Sequence, residues 1–223
     1  MVNYVHLYFL PGSAGNFLSR CLNLLDDFYA WGDLKTKLLP VTLDEKINLL
    51  NYSPVINFDP LAKNWIEWEK SIALLGLILT VPDYRKLPND PYIVYISHPI
   101  IPDITQEFSG PDDGKYILYI DPTDNFEWIL MNAIYKQTYQ ETQWYVNGKQ
   151  MLEDDTVIKI SLTNILKNKE SFLEEFQLLC TRLSQTISPN ILIAIGNLYD
   201  QWRTTIIEPD KINDFKKLIG WTA

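Results

Sequence analysis

The sequence predicts an α/β fold: a single parallel sheet with helices on both faces. Two features carry that expectation. Four short runs, VNYVHLYFL, YIVYIS, KYILYI and TVIKIS, are rich in β-branched and aromatic residues, the mark of buried strands. Between and after them lie longer stretches whose apolar residues recur at helical spacing. Strands that read as continuous apolar runs and alternate with helices belong to parallel sheets covered on both sides. Ligands in such sheets sit at the carboxyl ends of the strands.

The first strand spans Val2 to Leu10 and is expected to be central and buried, with His6 as a packed strand residue. Pro11-Gly12-Ser13-Ala14-Gly15 interrupts it, and a helix is expected from Asn16 to Trp31, with Phe17, Cys21, Leu24 or Leu25, and Phe28 on one stripe. A helix start after a small-residue loop presents unsatisfied N–H groups and a positive dipole end. Two readings of this loop stand side by side: a tight strand-to-helix turn, or a cradle for phosphate or sulfate. If it is a cradle, a bulky β-branched residue at Gly15 is expected to remove anion binding and leave the fold largely intact. The loop is neither G-x-x-x-x-G-K-[ST] nor G-x-G-x-x-G.

Further along, Thr42-Leu43-Asp44-Glu45 has capping-box form and predicts a short helix. Asn64 to Ile78 reads as a helix with Trp65, Trp68 and Ile72 on one stripe. Strands follow at Tyr92 to Ser97 and Lys115 to Ile120, separated by the polar turn at residues 109–114. Asp121-Pro122-Thr123-Asp124 reads as a helix start with Thr123 or Asp124 as cap, and the helix runs to Gln140. Asn147-Gly148 between Trp144, Tyr145 and Val146 predicts a type I′ hairpin. A strand at Thr156 to Ser161 precedes a helix from Lys169 to Ile187. Ser188 then caps a helix that has Pro189 at its first position and runs to about Ile206. Lys211 to Trp221 is expected to form a last short helix.

A length of 223 residues suits one domain over 1–223. The net charge of −9 argues against nonspecific binding to nucleic acid or to an anionic membrane. The longest apolar run, Ile72 to Val81, is too short to span a bilayer. No signal-peptide pattern precedes the first strand, so the expected compartment is the cytoplasm. Cys21 and Cys180 read as buried free thiols, and two Cys with two His show no metal-ligand spacing, so no metal is expected. His98 ends a core strand at the ligand-binding edge. It is either a structural residue or a general base, since an imidazole titrates near neutrality. Arg20 and the acidic runs read as solvated or ion-paired groups.

Three segments resemble the sulfotransferase family. Leu10 to Leu18 (LPGSAGNFL) looks like the loop, typically YPKSGTTWL, that binds the 5′-phosphosulfate. Pro11, Ser13 and Leu18 match, Phe17 replaces Trp, and Gly12 falls where the family has its Lys. Ile96-Ser97-His98-Pro99 is similar to the K-T-H-L-P segment, whose His takes the acceptor proton. Asp121-Pro122-Thr123-Asp124 lines up with N-P-K-D, and there Ile120 and Trp128 fall on the Arg and Ser that clasp the 3′-phosphate. Val157 to Gln185 is similar in architecture alone. The resemblance implies a P-loop-containing, sulfotransferase-like fold. It also implies sulfuryl transfer from 3′-phosphoadenylyl sulfate to a hydroxyl of a carbohydrate or small molecule. His98 would be the base, and Gly12, Ser13, Ala14, Gly15, Asn16 and Phe17 would bind the donor. The other reading is a non-catalytic domain of this fold that binds a glycan, nucleotide or protein partner, because fold alone does not fix function.

Overall fold

The computed structural model describes residues 3–30, 92–97, 99, 114–136 and 142–221. The expected helices near Leu43 and over Asn64 to Ile78, with Trp65 and Trp68, lie outside these residues, as does His98. Five strands form one parallel sheet: β1 (Asn3–Tyr8), β2 (Phe28–Ala30), β3 (Tyr92–Ser97), β4 (Gly114–Asp121) and β5 (Val157–Ser161). Their spatial order is β2-β3-β1-β4-β5, and every pairing is parallel. The first strand is central, as its largely apolar and aromatic run predicts. Val5 pairs with Val94 on one side and Tyr116 on the other, and Leu7 with Ile96 and Leu118.

Alternate residues of a strand face opposite ways, and the two faces of this sheet carry different cores. Val5, Leu7, Val94, Leu118, Ile120 and Ile160 belong to the larger one. It takes in Phe17, Leu18, Cys21 and Leu22 from α1 (Gly15–Asn23). It also takes Phe172, Phe176 and Leu179 from α5 (Lys169–Arg182), and Ile191, Ile195 and Tyr199 from α6 (Pro189–Arg203). Phe17 is its hinge: the ring stacks on Trp202 at 4.5 Å and packs against Phe172 at 4.9 Å. Tyr8, Tyr119 and Val157 form the smaller core on the other face, packed by Met151 and Leu152 of α3 (Thr142–Glu153). The remaining helices are α2 (Phe126–Tyr135), α4 (Leu162–Lys167) and α7 (Ile212–Leu218), the last preceded by a 3-10 turn at Pro209–Lys211. Among the described residues, no helix is long and apolar enough to cross a membrane.

Several expectations need correction. The first helix stops at Asn23, not Trp31, because the chain reverses at Asp27 (φ 58°) and residues 28–30 pair with β3. Asp tolerates that left-handed conformation better than most residues. Phe28 fits a helical stripe and a buried strand equally well; its stacking on Tyr92 at 4.4 Å decides for the strand. The Asn147-Gly148 hairpin is absent, and both residues lie inside α3. Trp144, Gly148, Met151 and Leu152 are spaced 4, 3 and 1 residues apart, a helical pattern facing β4 and β5. Gly148 is needed there because a Cβ would meet the Tyr119 hydroxyl at 2.2 Å.

Neither Thr123 nor Asp124 caps α2: Asn125 occupies the cap position without a side-chain cap bond. Asp121 instead closes its own turn, accepting from the Thr123 amide (2.9 Å) and hydroxyl (2.6 Å). This helix ends at Tyr135, α5 at Arg182 and α6 at Arg203, each short of the expected end. The Ser188 cap is present, with its hydroxyl accepting from the Ile191 amide, and Pro189 opens the helix. Leu162–Lys167 form α4, capped by Ser161.

Candidate functional site

The connection after β1 leads toward β2 on one side of the sheet, and the connection after β4 leads to β5 on the other. Adjacent strands whose connections leave in opposite directions open a crevice at their carboxyl ends, the usual ligand position in open α/β sheets. Here that crevice lies between β1 and β4. The Pro11–Phe17 loop flanks it on one side and the Asp121–Asn125 turn on the other. β3 ends at Ser97, level with Tyr8. Pro99, just beyond, is buried, and its carbonyl accepts from Asn147 Nδ2 of α3. His98, the expected base, lies outside the described residues.

The loop is tightly braced. The Ser13 amide donates to the Leu10 carbonyl at 3.0 Å, closing a turn, so that amide is not available to a ligand. Gly12 has a φ of 86°, in the left-handed region that glycine enters without penalty. Its carbonyl accepts from Asn132 Nδ2 of α2, and a Cβ on it would meet the Ile129 carbonyl at 2.6 Å and Ala133 at 2.9 Å. The helix that leaves β4 therefore reaches across and seats on the loop that leaves β1. Asn132 is fully buried and its Oδ1 accepts from the Ile207 amide at 3.3 Å; Trp128 donates to the Ile207 carbonyl at 2.7 Å. Gly15 has a different reason to be glycine. A Cβ there would lie 2.1 Å from the ring of Phe9, which is itself buried.

What the loop offers a ligand is narrower than the sequence suggested. Ala14 occupies the cap position of α1 and contributes no side-chain bond, so the amides of Gly15, Asn16 and Phe17 lack a capping acceptor. The helices α4, α5 and α6 are capped by Ser161, Asn168 and Ser188. The Ser13 hydroxyl is buried with no hydrogen-bond partner among the described residues. Buried polar atoms are rarely left so. Arg20 stands in the last turn of α1, not at its start.

The residues that would hold the nucleoside end of 3′-phosphoadenylyl sulfate fit poorly. Ile120, in place of the clasping Arg, is 1 % exposed and apolar. Trp128, in place of the Ser, is buried and its one donor already serves Ile207. Uncapped amides and a free hydroxyl suit the sulfate end; nothing at those two positions suits the 3′-phosphate.

Across the crevice, Tyr119 of β4 is buried. Its phenol is pushed up by desolvation, with Asp121 and Tyr145 adding to the shift. The Asp121 carboxylate stays near the surface, held by Thr123. Sequence reading overlooked Asn132 and Tyr119. A signal for Asn132 existed: it is the single polar residue in the run WILMNAIY, and a polar side chain in a buried run must find hydrogen-bond partners. Cys21 and Cys180 are buried free thiols as expected. Among the described residues, no group of three His, Cys, Asp or Glu side chains could hold a metal ion. In comparisons with known proteins, no family model matches the chain and no curated protein matches it.

Proposed function

We propose that the chain is a sulfotransferase-like, cytoplasmic protein. It binds a sulfate or phosphate group in the Pro11–Phe17 loop and transfers a sulfuryl group from 3′-phosphoadenylyl sulfate to a hydroxyl of a carbohydrate or small molecule. One observation carries the reading: a buried hydroxyl without a partner among the described residues, Ser13, lies next to Ala14, the cap residue of a helix whose first amides have no side-chain cap, at the carboxyl end of the central strand. Such groups stabilise oxyanion charge without reorganising. His98 follows the neighbouring strand in sequence and supplies the base on this reading. Calorimetry with adenosine 3′,5′-bisphosphate tests donor binding, and transfer of labelled sulfate from the donor tests activity. Micromolar affinity would support this reading. With turnover established, His98→Ala is expected to lower it about 10²–10⁴-fold while donor affinity persists.

A second reading, a non-catalytic domain of the same fold, is favoured by the packing around both glycines. The space at Gly12 is taken by α2 and that at Gly15 by Phe9, so neither glycine is explained by close approach of a ligand. Absence of binding at millimolar bisphosphate, with phosphate still held, would select this reading.

A further inference from the structure

We infer that α5 closes one edge of the sheet against a second copy of this chain: Glu175 and Arg182 take hydrogen-bonding positions on β5 that an added strand would occupy. β5 is the last strand of the described sheet, next to β4. An edge strand turns the backbone groups of every other residue away from its neighbour, and that row is a template for strand addition. The residues that turn outward here are Val157, Lys159 and Ser161, and each is met by its own chain. The Ser161 amide donates to Glu175 Oε1 at 2.9 Å, and the Lys159 carbonyl accepts from Arg182 Nη1 at 3.2 Å. The Val157 amide donates to the Asp154 carbonyl at 3.3 Å, in the turn that enters the strand.

The helix is set to do this along the strand. Glu175 meets the later residue of β5 and Arg182 the earlier one, so α5 runs back along the edge. The two side chains stand two turns apart on one helix face, about 10 Å, and reach backbone groups two residues apart in the strand. The second Glu175 oxygen accepts from Asn164 Nδ2 of α4 at 2.7 Å, which fixes the carboxylate against the end of β5. The strand itself identifies the excluded occupant. Two copies meeting edge to edge about a two-fold axis would pair β5 with β5 in antiparallel sense. The middle residue of the five, Lys159, would then face its own mate, and like charges directly opposite destabilise a pair of strands.

The experiment measures the mass of the full chain by light scattering over a wide range of concentration. Lys159→Thr alone leaves the α5 contacts in place and is expected to behave as the wild type. The triple variant Lys159→Thr, Glu175→Ala, Arg182→Met opens the edge and is expected to self-associate roughly tenfold or more tightly than the wild type, the effect of freeing two backbone groups for pairing. Replacing Thr by Pro at position 159 in that triple variant removes an outward N–H, which an edge strand tolerates, and is expected to reverse the gain. Circular dichroism checks that each variant folds. Should Glu175→Ala unfold the chain, Lys159→Thr with Arg182→Met leaves the α4 contact untouched and is expected to associate more tightly than Lys159→Thr alone. A purely structural role for the two side chains lowers stability without making the mass depend on concentration. The inference is overturned if the edge-opened variant keeps the wild-type mass throughout, if Lys159→Thr alone associates as tightly, or if the proline variant still associates.

Discussion

Gly15→Ala tests the packing of the loop most directly. The added Cβ would stand 2.1 to 2.3 Å from three ring atoms of Phe9, where ordinary contact begins near 3.4 Å. The ring must therefore retreat by more than about 1 Å, and Phe9, 7 % exposed, has little room. Overpacking of this kind costs about 1–3 kcal/mol, which for a chain of this length lowers the melting temperature by roughly 2–4 °C per kcal/mol. Phe9→Ala alone should cost about 3–5 kcal/mol through the cavity it leaves. The double variant removes the clash, so its cost should fall short of the sum by about 1–3 kcal/mol. Urea unfolding of the four proteins measures the cycle. A neutral Gly15→Ala, or strict additivity, would falsify the contact. The same geometry corrects the expectation that a β-branched residue at Gly15 leaves the fold intact: loss of anion binding in such a variant reports first on stability.

Other outcomes follow from the bracing around the loop. Gly12→Ala should destabilise more than Gly220→Ala: both have positive φ, but only the first Cβ meets neighbours, the second having nothing within 4 Å; thermal melts of the pair separate packing from backbone strain. Asn132→Leu leaves the Gly12 carbonyl and the Ile207 amide unpaired and should cost about 2–6 kcal/mol in urea titrations, from roughly 1–3 for each orphaned group. Burial pushes the Cys180 thiol from 9.0 up to about 12 and raises Cys21 as well. The folded state then holds thiol protons that the unfolded state releases, so the thiols' contribution to stability is full below pH 9 and declines between pH 9 and 12. A thiol reagent at pH 8 should label neither cysteine until the chain is unfolded; rapid native labelling would contradict their burial.

Sequence alone determined the α/β class, the central place of the first strand and the caps that are strictly local. Ser188 before Pro189 reads as a helix start in any context, because the hydroxyl and the amide it satisfies are three residues apart. The strands at 92–97 and 114–121 were legible for a related reason: continuous β-branched and aromatic runs leave few other ways to be buried. The failures share a cause. Phe28 fits two local structures, and only Tyr92, far away in the chain, chooses between them. Asn147-Gly148 is a turn by its own chemistry, yet Tyr119 uses the bare glycine backbone as a surface inside a helix. The loop glycines were open to two readings, a tight turn or an anion cradle, and sequence could not show that Phe9 and α2 occupy the space beside them. A glycine advertises missing volume but not what fills it. That is decided by the strand order, which brings β4 beside β1, and by the helix after β4, whose Asn132 holds the Gly12 carbonyl from 120 residues away.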